Sequence, residues 1–128
     1  MASVLIIDDD VALREALTKQ LAFAGHEVRQ SAHGDDGIRE FARHPADVVV
    51  VDIFMPGQGG LQTIGRLRSD WPAVKIVAMS GASRTGPLDV AAHAVALGAD
   101  TFLSKPFDAA DLVALIPALM GREAGPPA

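Results

Sequence analysis

The sequence predicts a doubly wound α/β domain: a mostly parallel five-stranded sheet with helices on both faces. Three observations carry this. Short runs rich in β-branched or aromatic residues recur at 4–7, 48–51, 76–79 and 101–103. Runs that are apolar at consecutive positions mark strands buried on both faces. Stretches with helical apolar spacing separate these runs, so strand and helix alternate five times, and such order demands right-handed crossovers with helices above and below the sheet. The third observation is size: 128 residues, 49% of them hydrophobic, make one domain with a real core.

The first strand, 4–7, leads into a helix marked by Leu13, Leu17 and Leu21, with Asp10 as its N-cap and Gly25 as its stop. A weaker strand at 27–31 alternates in polarity and reads as an edge strand. Ile38, Phe41 and Ala42 mark a second, shorter helix. The run 48–51 is the innermost strand. Leu61, Ile64 and Leu67 mark a third helix that ends before Pro72. The strand at 76–79 precedes a fourth helix carried by Val90, Ala91, Ala94, Val95 and Leu97 and stopped at Gly98. The strand at 101–103 precedes a fifth, carried by Leu112, Leu115, Ile116 and Leu119, with Asp108 as N-cap and Asp111 three residues on. Pro117 falls inside that last pattern, removes one backbone hydrogen bond and crowds the Val113 carbonyl, so a kink or an early end is expected there. The domain is expected to span 1–120, with 121–128, rich in Gly and Pro, as a flexible tail.

Composition excludes several functions. There is no cysteine, hence no disulfide framework, iron–sulfur cluster or thiolate nucleophile. Eleven Lys and Arg against sixteen Asp and Glu give a net charge of −5. No basic run exists, which argues against direct binding to nucleic acid or an anionic membrane. No apolar stretch is long enough to span a bilayer, and the N-terminus lacks the basic region of a signal peptide, so the expected location is the cytoplasm. His26, His33, His44 and His93 show no zinc-ligand spacing. Gly57, Gly59 and Gly60 match neither the P-loop nor the dinucleotide pattern, and a turn before the third helix accounts for them.

In a doubly wound sheet, ligands bind at the carboxyl ends of the strands. Four strands deliver polar groups there: Asp8, Asp9 and Asp10 after the first, Asp52 after the third, Ser80 after the fourth, and Lys105 after the fifth. Singly, each has a plain structural explanation: a helix cap, a turn before Pro56, a loop hydroxyl, a surface charge. Together they form a set. Crowded carboxylates repel unless a cation joins them, and all-oxygen donors suit Mg²⁺. A carboxylate can accept a phosphoryl group, a reaction that needs a metal, a lysine and a hydroxyl around the phosphoryl oxygens.

The segments Val-Leu-Ile-Ile-Asp-Asp-Asp at 4–10, Val-Val-Val-Val-Asp-Ile-Phe-Met-Pro-Gly at 48–57 with Gly60-Leu61, Ile-Val-Ala-Met-Ser-Gly at 76–81, and Gly-Ala-Asp-Thr-Phe-Leu-Ser-Lys-Pro-Phe at 98–107 resemble the receiver domain of two-component response regulators. The resemblance covers about residues 2–120. It implies a flavodoxin-like three-layer fold with strand order 2-1-3-4-5. It implies that Asp52 is the phospho-acceptor, taking its phosphoryl group from a histidine kinase or phosphotransfer protein. Asp9, Asp52 and the backbone carbonyl of Phe54 would be direct Mg²⁺ ligands, with Asp8 acting mainly through water. Lys105 would pair with the phosphoryl oxygens, Ser80 would donate its hydroxyl to them, and Phe102 occupies the position of an aromatic switch residue. The Lys105–Pro106 peptide is often cis in relatives.

The chain departs from the family pattern at three points. Phe102 lacks the hydroxyl of the more common Tyr. The segment from Ser80 to Phe102 is about three residues longer than usual, with the excess at 82–87. Pro117 disturbs the last helix, which in relatives often belongs to the output face. Phe54 and Ala82 flank the acid site, and neither side chain can hydrogen-bond an attacking water, so slow self-hydrolysis is expected. Trp71 lies at the far end of the third helix, away from the acids. Arg14, near Asp10, has two readings, a place close to the acidic cluster and a solvated helix charge, of which the second is preferred.

The reading is therefore a phosphorylation-gated signalling switch that is not an enzyme beyond its own phosphorylation chemistry, that needs Mg²⁺ and no organic cofactor, and that acts on an unidentified protein target in an undetermined oligomeric state. With 128 residues it has no room for an output domain, so a stand-alone regulator and a receiver from a larger chain are both expected possibilities. A constitutive, unphosphorylated interaction module of the same fold is the alternative, and the intact acid, hydroxyl and lysine set argues against it. A haloacid-dehalogenase-type phosphatase fits less well: its signature wants Asp-x-Asp-x-Thr or Val, the residue after Val11 is Ala12, and Asp52 would have no role. A flavin binder would need a Ser/Thr-rich loop after the first strand.

Overall fold

The computed structural model describes residues 1–54, 59–81 and 87–124. Five strands and five helices alternate: β1 Ser3–Ile7, α1 Val11–Phe23, β2 Glu27–Ser31, α2 Gly34–Arg43, β3 Val48–Asp52, α3 Gly60–Asp70, β4 Lys75–Gly81, α4 Pro87–Leu97, β5 Thr101–Lys105 and α5 Ala109–Ala124. All strands pair in parallel in the order β2-β1-β3-β4-β5. β2 is the edge strand that its alternation predicted. β3 is central, and each of its five residues is buried.

The alternation of side chains along each strand divides the core in two. Leu5, Ile7, Val49, Val51, Ile76 and Ala78 face one layer and meet Ile38 and Phe41 of α2, Ile64 and Leu67 of α3, and Ala94 of α4. Val4, Ile6, Val48, Val50, Val77 and Met79 face the other, against Leu17 and Leu21 of α1 and Leu112, Ile116 and Leu119 of α5. Each fully buried aliphatic side chain contributes about 1.5–3 kcal/mol of transfer free energy, so the two layers supply the main folding force.

Local chemistry sets the helix ends. Asp10 caps α1 by accepting a hydrogen bond from the Leu13 N–H at 3.1 Å. α1 and α4 each stop before a glycine with positive φ, Gly25 at 99° and Gly98 at 127°, a backbone region that favours glycine. Arg68 of α3 fastens the turn beyond α4: its guanidinium donates to the carbonyls of Gly98, Pro72 and Val74 and pairs with Asp100 at 2.8 Å. At the start of α5 the Asp108 N–H donates to the Asp111 carboxylate at 3.3 Å.

Three features differ from the sequence reading. β4 and β5 run on through Ser80-Gly81 and Ser104-Lys105, because backbone pairing continues where hydropathy stops. α5 does not end early at Pro117. Ile116 and Leu119 are fully buried against the sheet on either side of it, and that burial offsets the missing hydrogen bond. α5 also covers 121–124, residues that composition assigned to a tail. The remainder of that tail, 125–128, lies outside the described residues, as do Pro56, Gly57 and the 82–86 segment where the extra loop length falls.

Candidate functional site

The carboxyl edge of the sheet gathers the predicted polar residues. β1 ends on Ile7, and the Asp8 N–H still pairs with the Ser31 carbonyl at 3.1 Å, so Asp8 leaves the sheet in strand geometry with its side chain fully buried. Asp52 is the last residue of β3, 5% exposed, and the next amide, Ile53 N–H, donates to the Met79 carbonyl at 2.8 Å. Lys105 is the last residue of β5. Its Nζ lies 3.1 Å from Asp8 Oδ2 and 3.2 Å from Asp52 Oδ2, bridging two carboxylates from different strands.

The other carboxylate oxygens are held by backbone. Asp8 Oδ1 accepts from the Asp10 N–H at 2.9 Å, and Asp52 Oδ1 accepts from the Phe54 N–H at 3.2 Å. Asp9 is exposed. One oxygen each from Asp8, Asp9 and Asp52 lie within 4.8 Å of one another. Three hard oxygen donors at that spacing fit a hard divalent cation such as Mg²⁺.

Electrostatics leave the cluster short of positive charge. Burial, and then the neighbouring Asp8 charge, push the Asp52 carboxyl up from its ordinary value to about 6, against the pull of Lys105 and the Phe54 amide. Burial alone would depress Lys105, but Asp52 and Asp8 outweigh it and hold the ammonium above its ordinary value. Two buried carboxylates share one lysine, and a divalent cation would redress the imbalance.

Ser80 follows Met79, the register partner of Asp52, and pairs with Ser104 next to Lys105. It is 1% exposed, and its hydroxyl donates to the Gly81 carbonyl at 3.0 Å. Phe102 of β5 is half-buried against the layer that holds α2, α3 and α4. Phe54 is 45% exposed beside the acids. The Lys105–Pro106 peptide is cis.

Of the two readings for Arg14, the structure supports closeness to the acids over the preferred one, a solvated helix charge. Its Nη1 donates to the Asp8 carbonyl at 2.8 Å and its Nε to Gln30 Oε1 at 3.0 Å, so it is tied to the site rather than solvated. The available signal was its place one turn after the Asp10 cap, which turns a long side chain back over the end of β1. Trp71 behaves as expected: it packs edge-to-face on Phe41, ring centroids 4.8 Å apart, beside a cavity of about 370 Å³ that Asp47, Asp70 and Val74 also line, away from the acids. Among the described residues no helix is long and apolar enough to cross a membrane.

Comparisons with known proteins place the chain in a family. Residues 4–117 match the family model of the response regulator receiver domain. The chain is 35% identical to the DNA-binding transcriptional regulator NtrC of Azospirillum brasilense over 99% of its own length and 26% of that protein's. It is 37% identical to the response regulator MprA of Mycobacterium leprae over 93% of its own length and 51% of that protein's. The chain thus spans from about a quarter to about half of these relatives. Among solved structures, the response regulator receiver domain protein of Clostridium thermocellum superposes with a TM-score of 0.88 at 28% identity, covering 97% of this chain and 98% of that one. A CheY-like receiver from Methanospirillum hungatei shares the fold at a TM-score of 0.89. Five parallel strands in receiver order, the acids at their carboxyl edge and the match over 4–117 together establish that this chain belongs to the response regulator receiver domain family.

Proposed function

We propose that this receiver domain is a phosphorylation-gated switch with Asp52 as the phospho-acceptor. The observation that carries this is the Lys105 ammonium bridging Asp8 and Asp52 beside the three-carboxylate cluster. An Asp52 carboxylate oxygen forms a bond to phosphorus while the donor's P–N bond, on the histidine of a kinase or phosphotransfer protein, breaks. The departing imidazole keeps or regains its proton. Asp8, Asp9, Asp52 and the Phe54 carbonyl would hold Mg²⁺, which when bound supplies positive charge for the phosphoryl oxygens.

Lys105 is within reach of Asp52 and would turn from the carboxylate to the new phosphoryl oxygens. Ser80 would exchange its bond to the Gly81 carbonyl for one to the phosphoryl group, drawing the chain beyond β4 inward. Phe102 packs by apolar contact alone and would change rotamer as that chain moves. The population shifts only as far as the phosphoryl group interacts differently with the two states. A protein target would read the shifted surface. The absence of basic runs disfavours direct contact with nucleic acid, and the expected location is cytoplasmic.

Incubation with acetyl phosphate and Mg²⁺, followed by intact mass, tests the acceptor. One acid-labile phosphoryl adduct is expected, absent without Mg²⁺ and absent in Asp52→Asn. No adduct with any donor would point instead to a constitutive interaction module. Once formed, the adduct is expected to persist for minutes or longer after donor removal, because the exposed Phe54 ring offers no hydrogen bond to an attacking water. Decay within seconds, followed by phosphate release, would contradict that role for Phe54.

A further inference from the structure

We infer that Arg14 is a positioning residue for the acidic cluster: by clamping the Asp8 carbonyl against Gln30, its guanidinium fixes the Asp8–Asp9 peptide and with it the backbone point from which the Asp9 carboxylate reaches the cluster. The inference deepens the proposed metal-binding reading and rests on it.

The three carboxylates are not held alike. Asp8 is fixed by the Asp10 N–H and Lys105, and Asp52 by the Phe54 N–H and Lys105. The Asp9 side chain is exposed and, among the described residues, makes no hydrogen bond or ion pair. What the fold can fix of Asp9 is therefore its backbone, from which the carboxylate reaches the cluster. The peptide unit joining Asp8 to Asp9 is planar, so fixing its carbonyl fixes the Asp9 nitrogen and Cα as well.

Arg14 supplies that constraint. Its Nη1 bond to the Asp8 carbonyl is charge-assisted and 2.8 Å long, and its Nε bond to Gln30 anchors the planar guanidinium on β2. On the other side of the same residue, the Asp8 N–H is bonded to Ser31, the neighbour of Gln30. Asp8 is thus gripped at both backbone groups by β2 and α1. The Arg14 N–H in turn donates to the Asp10 carbonyl at 3.0 Å, so helix, loop and edge strand close on one another around the two acids.

A simpler role is available to any cation near three carboxylates: it offsets their charge. The two roles predict opposite signs. If Arg14 only offsets charge, its removal strengthens the attraction of the cluster for Mg²⁺. If it positions Asp9, its removal weakens binding, by about tenfold at the lower end of what losing a group behind a metal ligand costs.

Calorimetric titration of the full chain with Mg²⁺ at constant ionic strength, together with melting in chelator to check folding, separates them. Arg14→Ala is expected to weaken Mg²⁺ binding about tenfold. Gln30→Met keeps every charge, sits at an exposed strand position and loosens only the anchor. It is expected to weaken binding by a smaller factor, and it decides the matter if Arg14→Ala fails to fold. Binding by Arg14→Ala as tight as, or tighter than, that of the unsubstituted protein overturns the positioning role, as does unchanged binding by Gln30→Met. An unsubstituted protein that takes up no Mg²⁺ overturns the metal reading itself, so the two failures are distinct.

Discussion

In chelator at about pH 7.5, Asp52→Asn is expected to melt several degrees above the unsubstituted protein. Folding raises the Asp52 carboxyl from 3.8 to about 6, chiefly by burial and then by the Asp8 charge. The folded state therefore binds that proton more tightly than the unfolded chain. The group favours folding below its unfolded value, loses that effect as pH climbs through this window, and carries its full cost above about 6. At about 1.4 kcal/mol per unit the ceiling on this cost is about 3 kcal/mol. Asn cannot ionise, and it leaves Lys105 paired one-to-one with the buried Asp8.

The gain should shrink at about pH 4, where Asp52 is protonated in the folded protein. Saturating Mg²⁺ should reverse the order, because only the unsubstituted protein keeps the full donor set. Melting curves at both pH values, with and without Mg²⁺, give the four numbers needed. A variant less stable than the parent in chelator at neutral pH would show that the Lys105 bridge more than compensates the Asp52 charge, contrary to the electrostatics above.

Gly60→Ala is expected to cost about 3 kcal/mol or more, and to disable phosphoryl acceptance in whatever fraction remains folded. Gly60 opens α3, and its N–H donates to the Ile53 carbonyl at 3.0 Å. A Cβ placed there would lie 2.1 Å from the Asp52 carbonyl oxygen and 2.5 Å from the Ile53 Cα. Both are backbone atoms, so no rotamer change relieves the overlap, and the end of β3 must part from α3. Gly59→Ala is the control one residue away: among the described residues nothing lies within 4 Å of its Cβ position, and its φ of −70° suits any residue. Urea denaturation should place the two midpoints far apart. Coincident midpoints would mean that the helix start yields without strain.

Much of this molecule could be read before it was seen. The inner strands β1, β3 and β4 announced themselves because burial on both faces leaves few polar positions, and β3 is the extreme case with its four consecutive valines, whereas β5, whose run read the same way, is a half-buried edge strand. Asp8, Asp52, Ser80 and Lys105 could be assigned to one edge because parallel strands all end on the same side. Hydropathy falls silent where backbone pairing alone decides. It therefore clipped Ser104 and Lys105 from β5, although they pair with Ser80 and Gly81. It expected a kink or an early end at Pro117, and the helix does not end there, with Ile116 and Leu119 buried on either side. Gly60 showed only as part of a turn, since the approach of its Cα to β3 is a distance between segments with no local imprint. The preferred reading of Arg14 failed for the same reason: its partners are the Asp8 carbonyl, just beyond β1, and the Gln30 amide oxygen on β2.

The lone indole of the chain sits beside Phe41 at the amino ends of the strands, across the sheet from the acids. Its emission therefore reports the integrity of that apolar layer and is blind to local chemistry at Asp52. Fluorescence followed during denaturation needs no added dye, and a ligand that alters the curve does so by shifting the global unfolding equilibrium rather than by quenching the reporter.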